Sequence, residues 1–225
     1  MAIAAVPGSS TSQWVCDATK EHDIWRALYG AVGGEKEIIG HSDCLTGRAL
    51  PGKQDELAAP VDRVKVLSAE QSNTSVVLDR RVIMKLIRKL DLGINPDSEV
   101  LEFLTTQTAC RDVPPLLGRM TYHDSHVEET GAEGTILIVQ GFVPNKGDGW
   151  SYTLMRLEEL LKPIREGERD RPGITSTTVG DKLDTFLGEI RHLGVLTEKL
   201  HLALASNTEL DAFRPEPVTA HDVVG

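Results

Sequence analysis

Apolar and polar positions along this chain alternate in short stretches separated by Gly, Pro and acidic residues, and one late stretch keeps a helical period. Ile24, Leu28 and Val32, with Trp25 beside them, predict an amphipathic helix over residues 17–32 that Gly33 and Gly34 end. Residues 37–41 read as a strand. Residues 45–59 are rich in Gly, Pro and charge and read as a loop. Strands are expected over 62–68, 75–78 and 82–88. Asn95 can cap a helix that Pro96 opens, and Asp97 and Glu99 suit its positive end; that helix is expected to reach about residue 109. Strands at 117–122 and 135–142 flank an acidic turn and form a hairpin. Residues 150–161 read as a helix, and 166–178 as a charged loop with Pro and Gly. Residues 180–205 form the longest helix, with Leu183, Leu187, Ile190, Leu193, Leu196, Leu200 and Leu204 in one stripe. Residues 1–13 read as a frayed end, and the tail from Phe213 as extended.

These elements predict an α+β fold. A small cap over residues 1–61 precedes a twisted antiparallel sheet with one packed helix over 62–145, and a helical segment over 146–225 follows. A length of 225 residues is enough for one domain with a substantial core or two small ones. The net charge of -10 and pI of about 5.2 argue against electrostatic nucleic-acid binding and against a basic membrane-surface patch. The three cysteines, Cys16, Cys44 and Cys110, have no metal or disulfide spacing; buried, inert thiols in a reducing compartment are expected. The first residues lack a signal-peptide pattern and no apolar run approaches bilayer length, so the cytoplasm is the expected location, with no membrane partner.

The chemistry starts at Lys85. It sits among apolar residues in a strand, where a buried cation needs an anion to meet it. Residues 70–75 form a polar loop just before that hairpin, and together they read as a phosphate-binding corner. Plainer readings stand beside this one. Lys85 can snorkel from an edge strand, Glu99 can simply favour the helix dipole, and the loop can be an ordinary polar turn. His123 and His126 with Asp124, Glu128 and Glu129 read as a solvated acidic loop rather than a metal site, and His201 as a packing or hydrogen-bonded residue rather than a catalytic one.

The order of elements is that of a kinase amino-terminal lobe followed by the first helices of the next lobe. In that arrangement a strand lysine grips the nucleotide phosphates and a glutamate on the next helix holds it; here these are Lys85 and Glu99, with Glu102 next in line. The residues themselves resemble maltokinases. The resemblance rests on Glu70-Gln71-Ser72-Asn73-Thr74-Ser75-Val76, on Lys85-Leu86 with Asn95-Pro96-Asp97, on the run from Gln140 through Gly141-Phe142-Val143-Pro144-Asn145 to Gly147-Asp148-Gly149-Trp150, and on Leu200-His201-Leu202.

The resemblance implies a fold similar to aminoglycoside phosphotransferases, and phosphorylation of maltose at its reducing-end hydroxyl with ATP and magnesium, in trehalose-to-glycogen metabolism. It implies that Gln71, Ser72, Asn73, Thr74 and Ser75 cover the phosphates and that Gln140, Phe142 and Val143 belong to a hinge beside adenine. The family's catalytic Asp, following Asn and magnesium-binding Asp lie beyond the long helix. The late His221-Asp222 pair is not followed by such a set, so this chain alone is not expected to transfer phosphate or to hold the metal. The sugar stays open, glucosamine or another saccharide included. The alternative is a non-catalytic interaction or regulatory module that binds trehalose synthase or another enzyme of the pathway; its apolar stripe, which would normally pack on a further lobe, then needs a partner, a second copy of the chain included.

Overall fold

The computed structural model describes residues 2–5, 14–41, 43–67, 73–124, 133–165 and 176–219. It has two compact units, one through Val143 and one from Pro144. In the first, β1 (Ala2–Ala5) pairs with β2 (Trp14–Cys16), where the sequence reads as a frayed end. A 3₁₀ turn capped by the Asp17 carboxylate leads into α1 (His22–Gly33). The body of the unit is one sheet in the order β3-β4-β8-β9-β7-β6-β5, antiparallel at every pairing. Its strands are β3 (Glu37–Ile39), β4 (Asp43–Ala49), β5 (Val64–Val66), β6 (Asn73–Leu78), β7 (Val82–Ile87), β8 (Leu116–Asp124) and β9 (Glu133–Gly141). The cap-like segment therefore contributes two strands to the sheet that carries Lys85.

β4 and α2 (Gln54–Ala58) occupy residues expected to be loop. Asp43 and Gly47 carry little strand propensity. β4 exists because it pairs along its whole length with β8, from Asp43 opposite Asp124 to Ala49 opposite Gly118. Gly47 has a second reason. A Cβ there would lie 2.5 Å from the Ala31 carbonyl oxygen of α1, and a Cβ at Gly118 would lie 2.6 Å from a Val32 methyl. Only glycine lets the helix press this close to the sheet.

The main core lies between α1 and that sheet face: Trp25, Tyr29 and Val32 meet Val76, Leu78, Met84, Met120, Leu137 and Val139. The opposite face holds a smaller cluster of Leu50, Leu116 and Ile138, against which Leu101 packs. Leu101 belongs to α3 (Pro96–Thr106), which the Asn95 side chain caps by accepting from the Ser98 amide. The turn between β6 and β7 puts Asp79 and Arg80 at φ 49° and 56°, the twist a tight hairpin needs. The Asp79 carboxylate accepts from the Asp62 and Arg63 amides at 2.9 Å each, and these bonds hold its pKa below the ordinary 3.8.

In the second unit α4 (Gly149–Arg165) starts at Asp148, whose carboxylate accepts from the Ser151 amide and hydroxyl at 2.8 Å each. α5 (Ser176–Leu204) carries the predicted stripe, but Leu183, Leu187, Ile190 and Leu193 are exposed, as is His201. Among the described residues no helix is long and apolar enough to cross a membrane.

Two substitutions test the packing. Gly47→Ala should destabilise the unit by about 1–3 kcal/mol in urea unfolding, because the obstacle is backbone. Gly30→Ala, in the middle of α1 with open space around it, should stabilise by about 0.5–1 kcal/mol. Asp79 gives a pH test. A lowered folded-state pKa contributes stability that is present above the unfolded value and lost as pH falls through the folded one. Asp79→Asn should therefore lose less stability than the wild type between about pH 5 and about pH 3.

Candidate nucleotide-binding face

Residues directly opposite one another in a sheet share a face, and one such row crosses five strands: Ser75, Lys85, Ile138, Arg119 and Arg48. Lys85 and Arg119 thus stand on the α3 face, two strand spacings or about 10 Å apart. α3 lies over them and supplies an anion to each. Lys85 Nζ donates to Asp97 Oδ2 at 3.1 Å, with the lysine side chain only a quarter exposed. Arg119 pairs with Glu102 and donates to the Ser98 hydroxyl at 3.4 Å. Leu101 packs on the cluster of Leu50, Leu116 and Ile138, and the Leu116 amide donates to Thr105 Oγ1 at 2.9 Å near the end of the helix.

The sequence expectation gave Lys85 to Glu99; in the structure its partner is Asp97. Residues two positions apart on a helix lie about 200° apart around its axis, so Asp97 and Glu99 face nearly opposite ways. Glu99 instead shares a face with Glu102, and both line a cleft with Arg119. Spacing alone does not separate the acids at 97, 99 and 102; the rotation of α3 on the sheet decides. Arg119 was missed altogether. Its signal was a charged residue set among the apolar Leu116, Leu117 and Met120.

The loop expected to cover phosphates is described only in part, since Gln71 and Ser72 lie outside the described residues. Asn73, Thr74 and Ser75 begin β6 and pair with Ile87, Leu86 and Lys85. Ser75 therefore stands beside Lys85, while Thr74 turns to the opposite face and is buried. His126, Glu128 and Glu129 also fall outside the described residues. Among those described, no group of three His, Cys, Asp or Glu side chains could hold a metal ion. Cys44 and Cys110 are free and half-buried rather than buried.

The expected hinge closes the first unit. Gln140 pairs with Ile83 and Leu116, the Gly141 amide donates to the Pro115 carbonyl at 2.9 Å, and the Phe142 amide to the Arg81 carbonyl at 2.8 Å. Both N–H groups are thus committed to protein carbonyls. The boundary between the two units falls just after Val143.

No protein-family model matches the chain. Solved structures do. A glucosamine kinase in complex with glucosamine, ADP and inorganic phosphate is similar with a TM-score of 0.51 and 18% identity, over 88% of this chain and 39% of that one. Crystal form A of a glucosamine kinase is similar at 0.53 and 21% identity, over 96% of this chain and 40% of the other. The fold is kinase-like. An antiparallel sheet with a helix packed beside its lysine strand is the amino-terminal lobe of that fold, and the chain spans about two fifths of the length of these structures. At this identity the likeness is one of fold.

A double-mutant cycle separates the two acids. The Lys85–Asp97 cycle should give a coupling of about 0.3–1 kcal/mol, in the range of a partly exposed pair, and the Lys85–Glu99 cycle a value near zero. A larger coupling to Glu99 would reverse the assignment.

Proposed function

We propose that this chain forms the nucleotide-binding part of a sugar kinase of the maltokinase type, acting in the conversion of ATP and maltose to maltose 1-phosphate. The observation that carries the reading is the Lys85–Asp97 pair between β7 and α3, on one face of a kinase-like lobe. A lysine ammonium has three donors, and Asp97 occupies one. The other two suit phosphate oxygens, with Ser75 alongside on the same face. Asp97 then fixes the ammonium in the role first expected of Glu99. Gln140, Phe142 and Val143 would border the adenine. When bound, ATP supplies the transferable phosphoryl group; what these residues supply is its grip and orientation. Magnesium, which the maltokinase resemblance implies, finds no ligand set among the described residues, and no step is assigned to it.

A second reading is favoured by one observation. Leu154, Met155, Leu157 and Leu161 on α4 and Leu183, Leu187, Ile190 and Leu193 on α5 are each 43% or more exposed. In this reading the chain is a non-catalytic module that covers those residues with trehalose synthase or with a second copy of itself. Sedimentation of the chain alone and mixed with trehalose synthase separates these cases.

For the kinase reading the test is calorimetric titration with ADP and with ATP plus magnesium. Saturable binding is expected, weakened about tenfold or more by Lys85→Ala and unchanged by Lys65→Ala on exposed β5. If the unmodified chain binds neither nucleotide, the reading is wrong for this chain.

A further inference from the structure

The cleft beside α3 has features that nucleotide binding leaves unused. Its volume is about 390 Å³, room for a small organic molecule rather than a bare ion. One wall is α3, with Ser98, Glu99 and Glu102; the other is β8 and β9, with Arg119, Thr121, Glu133 and Thr135. Gly93, held to β9 by its amide bond to the Glu133 carbonyl at 2.7 Å, closes one end.

The charges do not balance inside it. Glu102 and Arg119 neutralise each other. Glu99 on one wall and Glu133 on the other make no ion pair among the described residues. No three metal-capable side chains among the described residues could hold one ion there. An occupant that meets both unpaired carboxylates brings two positive charges.

A hydroxyl points the same way. Thr135 is 7% exposed, and its side chain makes no hydrogen bond among the described residues. No fully buried side-chain oxygen or nitrogen lacks a partner there, so this hydroxyl opens into the cleft it lines. Its direction comes from a β-bulge. Met120 pairs with Leu137 but Thr121 pairs with Thr135, so Ile136 is an extra residue, and Thr135 is brought to the face of Arg119.

We propose that this cleft is a binding site for a short organic diammonium ion, with one ammonium on Glu99, the other on Glu133, and the Thr135 hydroxyl accepting a further N–H. The site is separate from the Lys85–Asp97 pair and does not depend on the nucleotide reading.

The probe is 1,4-diaminobutane, added without nucleotide to the isotope-labelled chain and followed by amide NMR and calorimetry. Saturable one-site binding is expected, with shifts centred on Gly93, Gly134 and Thr135. Glu99→Gln with Glu133→Gln should weaken it about tenfold or more, Thr135→Val a few-fold, and Asp55→Asn, on exposed α2, not at all. 1-Aminobutane should bind about tenfold more weakly, because it leaves one carboxylate unmet. Circular dichroism checks that each variant is folded, and Glu99→Gln alone and Glu133→Gln alone serve if the pair is not. Non-saturable shifts, equal shifts with magnesium chloride at matched ionic strength, or undiminished binding by the glutamine variants would overturn the proposal.

Discussion

A cation on an inner strand of an apolar sheet must be met by an anion, and this chain meets two of them with one helix. Lys85 and Arg119 stand in the same cross-strand row, and α3 answers them with Asp97 and Glu102. The helix cannot slide or rotate without breaking at least one pair and withdrawing Leu101 from the cluster of Leu50, Leu116 and Ile138. The pairs are partly solvated and add little to stability. Their effect is on placement: they fix which residues of α3 face the sheet and which face the cleft.

The other side of the sheet obeys a different constraint. There α1 is pressed against β4 and β8 so tightly that Gly47 and Gly118 have no room for a Cβ. That side is closed over by Trp25, Tyr29 and Val32, packed on the apolar residues of the sheet. The two faces thus differ: on one a helix meets the sheet through apolar contacts, on the other through ion pairs beside an open cleft.

How much of this was legible in the sequence depended on whether the cause was local. The cap at Asn95, the hairpin around Asp79 and the lysine of β7 have causes within a few residues, and the sequence reading located each of them. β4 depends on partners 69 to 81 residues away, and its Asp43 and Gly47 weaken the strand signal of the sequence itself. The partner of Lys85 depends on the rotation of α3, set by Leu101, Ser98 and Glu102 together. Arg119 has no such local cue: its strand also holds Thr121, His123 and Asp124, and its place opposite Ile138 and Arg48 comes only from the pairing. Thr135 was hidden by the bulge, since alternation counted back from Val139 assigns it to the buried side.

That bulge has a wider consequence. The extra residue at Ile136 splits β9 into two halves that run out of phase. From Leu137 onward the strand keeps time with β7 and ends at the segment leading out of the unit; before it, the strand keeps its own time and shapes the cleft. Substitutions in one half need no compensation in the other. A lineage could retune what the cleft admits while leaving the alignment around Lys85 untouched, whereas deleting the single residue at 136 would turn the cleft wall into core in one step.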